Sequence, residues 1–333
     1  MSARDGAGAR RWAAAAIAVG LVCTLSGCVV PAGEPPSDVV TSFAPPPPGN
    51  ASTVPANAPV PAEVTMCPAT PLPSPLPEPG MMPPNTTMAK IAQRGRLIVG
   101  VDIGANLLSF RDPLTGTIDG FDVAVARQIA AAIFGDSSRI QFQILSSADR
   151  LTALQQGSVD VVVKTMSATC ERAKQVSFSA TYFLAQQRIL TPRSAPVASV
   201  GELSGRRVCE VRGTTSVDRV RRAVPSAQVI EVDSWADCLV MLQQGMADAT
   251  STDDAILAGL ATQDPNLTIT GPDLGQDPYA VGVARQNVDL VRFVNAVIFR
   301  MTQDGTWMRL YNQWFGSTLG PVWSPPATTW SGG

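Results

Sequence analysis

The hydrophobic pattern of the first part of the folded region predicts strands that alternate with helices. A β-branched run at 96–101 predicts a strand, and apolar positions at helical spacing after Gly120 predict a helix. An alternating stretch at 140–145 and a short apolar run at 160–163 predict two more strands, with an amphipathic helix between them. This order predicts an α/β fold whose mostly parallel sheet carries helices on both faces.

The same order recurs after about residue 191, where the composition turns polar. We predict strands at 207–211, 228–232 and 248–252, separated by helices that end near 223 and 244. A strand at 279–284 and helices at 289–302 and 307–315 follow. The repetition predicts a second α/β lobe and a return of the chain to the first.

The polar residues that follow the apolar run at 160–163 form the first candidate site. Lys164, Thr165, Ser167 and Arg172 come directly after this predicted strand. In open α/β sheets, ligands bind beyond the carboxyl ends of the strands. Because hydroxyls, backbone N–H groups and cations suit a small anion, we predict an anion site here.

Composition excludes several classes of function. The net charge of −2 gives no electrostatic basis for binding nucleic acid. The chain has no histidine, which rules out Ser-His-Asp and Cys-His catalysis and the commonest zinc sites. We therefore expect no enzyme, no metal and no cofactor.

The first 27 residues have the pattern of a targeting segment. A basic region is followed by an apolar stretch at 12–25, which is too short for a confident membrane span. Residues 25–28, Leu-Ser-Gly-Cys, resemble a bacterial lipobox. That resemblance implies a lipoprotein signal peptide at 1–27 and a lipid on Cys28; an ordinary secretory signal is the alternative. Either reading places the mature protein outside the cytoplasmic membrane.

The composition of residues 28–84 predicts an extended tether. It is proline-rich and lacks apolar periodicity, so it cannot bury a core. Its expected role is to hold the folded part away from the lipid surface, and recognition of a partner by the proline tract is the alternative. A Gly/Ser/Pro-rich tail at 319–333 is expected to be disordered.

The cysteines that remain after removal of the signal and lipidation of Cys28 are expected to form disulfide bonds, since the compartment is oxidising. Four cysteines allow three pairings. Cys209 and Cys238 lie in the same predicted lobe, so we favour their pairing, which leaves Cys67 with Cys170. The second bond would fasten the end of the tether beside the candidate site.

Several short motifs together resemble the extracellular solute-binding proteins of polar amino-acid ABC transporters (family 3), including the glutamine/glutamate-binding lipoproteins of actinobacteria. The motifs are residues 97–102, 120–123, 154–160, 169–172 with 178–179, 213–215, 245–248, and 304–306 with 314–316. The resemblance implies a type II periplasmic-binding-protein fold, with two α/β lobes joined by a two-segment hinge and the ligand in the cleft. The expected boundaries are 85–190 for lobe 1, 191–281 for lobe 2 and 282–318 for the return to lobe 1.

The resemblance also implies roles for individual residues. Arg172 would hold the ligand's α-carboxylate, because a guanidinium matches a carboxylate with two parallel hydrogen bonds. Asp253 would receive the α-ammonium. The further ligand contacts that the resemblance implies are Thr165, Ser167, Thr214 and Thr215.

The turn at 146–150 resembles that of aspartate- and glutamate-binding members, in which an arginine binds the side-chain carboxylate. Arg150 would have this role here, with Lys164 as a second cation and Ser147 as a lesser contact or only a helix N-cap. Residues 104–108 lack the aromatic residue usual in the family after the first strand.

We therefore expect a monomeric, lipid-anchored protein on the outer face of the cytoplasmic membrane. It would capture glutamate or aspartate, with glutamine or asparagine as further ligands, by lobe closure and deliver them to an ABC permease. The alternative is an amino-acid sensor that signals through a membrane protein.

Overall fold

The computed structural model describes residues 45–331. The predicted signal peptide and Cys28 lie outside this range. The helices of the described part are α1 (Thr87–Arg94), α2 (Phe121–Phe134), α3 (Arg150–Gln155), α4 (Cys170–Ala173), α5 (Thr215–Ala223), α6 (Trp235–Gln243), α7 (Asp254–Ala261), α8 (Val288–Gln303) and α9 (Thr306–Trp314), with a 3-10 helix at Val200–Leu203.

The strands of the described part alternate with these helices along most of the chain. They are β1 (Ser52–Thr53), β2 (Thr70–Pro71), β3 (Leu97–Val101), β4 (Gly104–Ala105), β5 (Ser109–Arg111), β6 (Ile118–Asp119), β7 (Ile140–Ile144), β8 (Val161–Val162), β9 (Val176–Pro192), β10 (Arg207–Val211), β11 (Gln228–Val232), β12 (Ala249–Asp253), β13 (Leu267–Thr270), β14 (Gln276–Ala284) and β15 (Trp330–Ser331).

Two parallel sheets are joined through two long antiparallel strands. The strand order is β1-β11-β10-β12-β9-β14-β8-β3-β7, with β13 also paired to β9. In lobe 1, β3 pairs in parallel with β7 and β8, and in lobe 2, β10 pairs in parallel with β11 and β12. The α/β prediction is confirmed.

The strands β9 and β14 belong to both lobes. Residues 176–186 of β9 pair with β14, whereas residues 187–190 pair with β12 of lobe 2. At its far end β14 pairs with β8 of lobe 1. The boundaries expected at 190/191 and 281/282 therefore fall inside continuous strands.

An aromatic cluster fixes the return of the chain to lobe 1. Phe121, the first residue of α2, is fully buried, and its ring lies 5.6 Å from Phe183 on β9 and 5.3 Å from Phe315, just after α9. Trp307 of α9 packs edge-on against the same ring. These contacts join α2, β9 and the last helix in one core.

The proline-rich segment at 45–84, here called the strap, lies against the folded part. Ser52 and Thr53 form an antiparallel pair with β11 of lobe 2. Further along, Thr70 donates a hydrogen bond to the Phe178 carbonyl (2.8 Å), and β2 pairs with β15 near the C-terminus. The composition predicted an extended tether, and these backbone contacts with the folded part were not expected. Trp330 of β15 lies in the C-terminal tail at 319–333, which was expected to be disordered but is paired with β2 here.

The disulfide bonds join the favoured pairs. Cys209 on β10 is bonded to Cys238 on α6, which ties the helix to the lobe 2 sheet. Cys67 of the strap is bonded to Cys170, the first residue of α4. Within residues 45–331, no helix combines the length and apolar character that a membrane crossing requires.

The start of α2 depends on a residue without a side chain. The N–H groups of Phe121 and Asp122 donate to the carbonyls of Leu107 (2.9 Å) and Leu108 (2.8 Å), so the preceding loop lies directly against the helix end. Gly120 has φ +130°, and a Cβ there would lie 2.3 Å from the Leu108 oxygen.

We expect Gly120→Ala to lower the free energy of unfolding by about 3 kcal/mol or more, because strained backbone and a clash with a carbonyl add together. The matched control is Gly116→Ala, at φ +71° with open space around it, which should cost only about 1–2 kcal/mol. Urea unfolding of both variants measures the difference. Equal losses would contradict this account of the helix start.

Candidate functional site

The candidate site is a narrow cavity between the two lobes; the empty space at the site is about 230 Å³ when open solvent is included. It lies beyond the carboxyl ends of β8, β10 and β12, as expected for an open α/β sheet. Its lining is mostly polar: Arg150, Thr165, Ser167 and Arg172 from lobe 1, and Thr214, Thr215, Ser216, Trp235, Thr252, Asp253 and Ile256 from lobe 2.

Arg172 keeps part of its hydrogen-bonding capacity unused. Thr169 caps α4 by accepting a hydrogen bond from the Arg172 backbone N–H. The guanidinium donates from Nη1 to the Ser167 carbonyl and from Nη2 to the Gly213 carbonyl, both at 3.0 Å. A guanidinium has five N–H donors, so Arg172 has donors left for an anion in the cavity.

Arg150 is held mainly by backbone carbonyls. Its side chain is buried, and it donates to the carbonyls of Ser147 (2.8 Å), Lys164 (3.0 Å) and Thr165 (3.2 Å) in lobe 1. It also donates to the Gly213 carbonyl (3.0 Å) in lobe 2. Burial, and then the nearby Arg172, lower the pKa of Arg150 to about 9.

Two predicted contacts lie outside the cavity lining. Lys164, expected as a second cation in the side-chain subsite, is buried and forms an ion pair with Asp102 at the end of β3. Burial lowers the pKa of Lys164, although Asp102 opposes that change. Ser147 is not the N-cap of α3, a position that Asp149 occupies, and its carbonyl holds Arg150.

The lobe 2 wall begins at the N-terminus of α5. Thr214 is the N-cap, accepting from the Val217 N–H at 3.4 Å. The hydroxyl of Thr215 donates to Asp277 at 3.0 Å and lies 3.4 Å from the Ser167 hydroxyl across the cleft. Its oxygen therefore remains an acceptor for a ligand donor.

Asp253 offers an acceptor without a partner in the described part of the chain. It ends β12 and precedes α7, and its Oδ2 accepts from the Tyr279 hydroxyl. Its Oδ1 is buried and has no hydrogen-bond partner among residues 45–331. Burial and then Asp277 raise the pKa of Asp253 well above its usual value. A ligand cation at this oxygen would relieve an unpaired buried acceptor.

Sequence reasoning missed several groups of the site. Asp102 pairs with Lys164, and Asp277 pairs with Arg219 behind Thr215. Trp235 lines the cavity. The hydrophobic pattern predicted only that it belongs to a helix and gave it no role in ligand binding. Among residues 45–331, no group of three or more acidic or thiol side chains could hold a metal ion.

The lobes meet closely beside the cavity. Gly213, at φ +73°, faces Ala148 of lobe 1, and a Cβ on Gly213 would lie 2.7 Å from the Ala148 Cα. On another side of the cleft, the Asn106 amide donates to the Gly259 carbonyl (3.3 Å) and the Thr262 hydroxyl (2.9 Å). The structure is therefore a closed arrangement of the two lobes.

Comparison with known proteins gives matches across both lobes. The family description "Bacterial extracellular solute-binding proteins, family 3" matches residues 97–317. The ABC transporter glutamine-binding protein GlnH of Bacillus subtilis is 36% identical over 229 residues, 68% of this chain and 84% of that protein. The glutamate-binding protein GluB of Corynebacterium efficiens is 27% identical over 236 residues, 67% of this chain and 80% of that protein.

Solved structures with the same fold include a solute receptor for L-cysteine of Neisseria gonorrhoeae. It superposes with a TM-score of 0.67 at 25% identity, covering 71% of this chain and 96% of that one. The similarity therefore extends over nearly the whole of the solved structure.

Asp122 is a buried carboxyl directly behind the cavity wall. It accepts from the Tyr182 hydroxyl (2.8 Å) and from the backbone N–H of Thr165 (3.0 Å), a residue held at φ +41°. Burial, opposed in part by these two hydrogen bonds, raises the pKa of Asp122 to about 7. The folded state thus holds a proton that the unfolded chain releases near pH 4.

Because the folded pKa is raised, ionisation of Asp122 lowers the free energy of unfolding as the pH rises from about 4 to 7. Asp122→Asn removes this effect. Relative to the parent, the variant should gain up to about 1.4 kcal/mol per pH unit between pH 5 and 7. Urea unfolding at several pH values measures this, with the exposed Asp112→Asn as control. Parallel curves for parent and Asp122→Asn would contradict the assignment.

Proposed function

The chain belongs to the bacterial extracellular solute-binding proteins of family 3, and on that premise we propose that it captures glutamate and aspartate by closing its lobes around them. Proteins of this family bind solutes outside the cytoplasm and are not enzymes, and the predicted family and type II binding-protein fold are confirmed. The relatives named for glutamine and glutamate support an amino acid as ligand and an ABC permease as partner.

The observation that carries the proposal is the division of charge across the cleft. Lobe 1 presents unused N–H donors of Arg172 to the cavity, and lobe 2 presents the unpaired Oδ1 of Asp253. An α-carboxylate suits the first group and an α-ammonium the second. The closed arrangement can thus orient one amino acid between the lobes, and only contacts made to both lobes favour closure.

The charge count supports an acidic ligand. When a ligand ammonium keeps Asp253 ionised, Arg150, Arg172 and Lys164 are opposed by Asp102 and Asp253, while Asp277 is paired with Arg219. One positive charge is left, and glutamate or aspartate cancels it. Because Asp102 pairs with Lys164, the preference over an uncharged ligand rests on Arg150. A buried cation without a partner is costly.

Glutamine is the second candidate ligand. GlnH of Bacillus subtilis, 36% identical, is a glutamine-binding protein. Four of the five Arg150 donors are directed to carbonyl oxygens, which leaves one for the ligand side chain. One donor suits a carboxamide oxygen as well as a carboxylate.

The remaining parts of the proposal concern location. The lipobox-like residues at 25–28 support a lipid on Cys28 and a monomer anchored to the outer face of the cytoplasmic membrane. The segment between residue 28 and the start of the strap would then connect the lipid to lobe 2, where the strap makes its first contacts.

Calorimetry with the chain from residue 29 onward against the twenty amino acids tests the proposal. Glutamate should bind best, and Arg172→Ala should weaken every ligand, by about 2–5 kcal/mol or roughly 30- to several-thousand-fold. Arg172→Lys should recover little, since an ammonium cannot pair bidentately.

The matched control is Arg206→Ala, which removes a half-buried arginine whose Nε donates to the Glu202 carbonyl outside the cavity lining. It should leave affinity unchanged. Tight binding of glutamine with weak binding of glutamate would overturn the acidic preference. Unchanged binding by Arg172→Ala would overturn the site.

A further inference from the structure

The apolar part of the cavity wall comes entirely from lobe 2. Trp235, the first residue of α6, and Ile256 in the first turn of α7 are the two large apolar residues that line the cavity in the described chain. Ser234 caps α6 by accepting from the Asp237 N–H at 3.2 Å, which sets the position of Trp235 at the helix start. Trp235 is only 2% exposed.

Small residues in lobe 1 allow the start of α6 to lie close to β4. A Cβ on Gly104 of β4 would lie 3.3 Å from the Cβ of Ala236, the residue after Trp235. The N-terminal turn of α6 therefore packs directly against β4. The segment at 104–108 has no aromatic side chain, and α6 approaches it from the opposite lobe.

We propose that Trp235 is a specificity-determining residue that covers the methylene groups of the ligand's side chain. The inference rests on the proposed function. Each buried methylene contributes about 0.8 kcal/mol, or about fourfold in affinity. A wall that covers two methylenes would favour a ligand with an extended unbranched side chain over alanine. Because the wall belongs to lobe 2, this selection takes place only on closure.

Calorimetry of Trp235→Leu with glutamate, glutamine and alanine tests the inference. The variant should lose about fivefold or more in affinity for glutamate or glutamine and clearly less for alanine. Equal losses for long and short ligands, or no loss, would overturn the role of Trp235. Failure of the parent protein to bind any amino acid would instead overturn the proposed function, and this inference with it.

A fluorescence measurement covers the case in which Trp235→Leu does not fold. Ligand addition should change the tryptophan emission of the parent, and this change should be absent in Trp235→Phe. Trp307→Phe is the matched control, because Trp307 lies in the aromatic core of lobe 1 and its indole N–H donates to the Tyr182 carbonyl. A full emission change in Trp235→Phe would overturn the inference.

The strap supports a second, independent inference, because it is fastened to both lobes. On lobe 2, Arg221 donates to the Pro59 carbonyl (2.7 Å) and Arg222 to the Pro61 carbonyl (3.2 Å), beyond the pairing with β11. On lobe 1, Cys67 is covalently bonded to Cys170, and the Cys170 N–H donates to the Thr65 carbonyl (2.9 Å).

Between these two attachments the strap crosses the mouth of the cleft. Residues 62–65 line a second, larger space of about 1300 Å³ together with Arg172, Thr214 and Asp218. Arg172 and Thr214 also line the inner cavity. Residues 62–66, here called the crossing, therefore lie over one entrance to the candidate site.

The length of the crossing limits the separation of its ends. From Pro61 to Cys67 the chain has six residue steps, which span at most about 20 Å when fully extended. Opening beyond that distance requires the lobe 2 contacts of the strap to break.

We infer that the strap restricts how far the lobes open and that it slows ligand exchange through this side of the cleft. The disulfide makes the lobe 1 end permanent, and the lobe 2 end is held by hydrogen bonds. Cleaving the crossing separates the two ends, whereas cleaving the strap beyond Cys67 does not, because residues 45–67 stay attached through the disulfide.

The test compares two variants of the chain from residue 29, with a protease site either at 62–65 or at 77–79. After cleavage at 62–65, the ligand-free protein should show a larger radius of gyration by small-angle X-ray scattering. In stopped-flow measurements, L-glutamate or L-glutamine should dissociate about tenfold faster than before cleavage. Cleavage at 77–79 should change neither quantity.

Unchanged scattering and unchanged dissociation after cleavage at 62–65 would overturn the inference, as would the same change after either cleavage. The scattering measurement needs no ligand. Its outcome is therefore independent of the proposed function.

Discussion

One backbone oxygen accepts hydrogen bonds from two arginines across the cleft, of which Arg150 is buried and Arg172 is half-buried. The carbonyl of Gly213 in lobe 2 lies 3.0 Å from Nη2 of both Arg150 and Arg172 in lobe 1. Buried cations need acceptors, and the closed lobes supply one that the open lobes would withdraw. The contact also requires a residue without a side chain, since a Cβ on Gly213 would clash with Ala148. Lobe closure and the solvation of the two cations are therefore coupled.

The polarity of the cavity follows from the same arrangement. Lobe 1 contributes donors, because Arg150 is the first residue of α3 and Arg172 lies in the one-turn helix α4. Lobe 2 contributes acceptors, in the Oδ1 of Asp253 and the hydroxyl oxygen of Thr215, whose proton is directed to Asp277. A zwitterionic amino acid therefore fits in one orientation, with its carboxylate toward lobe 1 and its ammonium toward lobe 2. Closure upon it adds hydrogen bonds to the ligand beside the hydrogen bonds that join the lobes.

The sequence predicted the elements of the fold and part of the site, and the failures have physical causes. The strand and helix pattern was readable because both lobes bury regular apolar faces. The positions of Arg172 and Asp253 followed from motif spacing. Asp102 was missed because it meets Lys164 across 62 residues of sequence, which no local pattern encodes. The backbone contacts of the strap were missed because backbone pairing needs no apolar periodicity, whereas its disulfide bond to Cys170 was predicted from the sequence.

A crystal structure of the complex with L-glutamate tests the central claim most directly, namely that a ligand carboxylate binds the Arg172 donors that the Ser167 and Gly213 carbonyls leave unused. The account predicts α-carboxylate oxygens within about 3.2 Å of the Arg172 nitrogens and the α-ammonium at a similar distance from Oδ1 of Asp253. A ligand bound elsewhere, with no carboxylate at Arg172 and no ammonium at Oδ1 of Asp253, would contradict it.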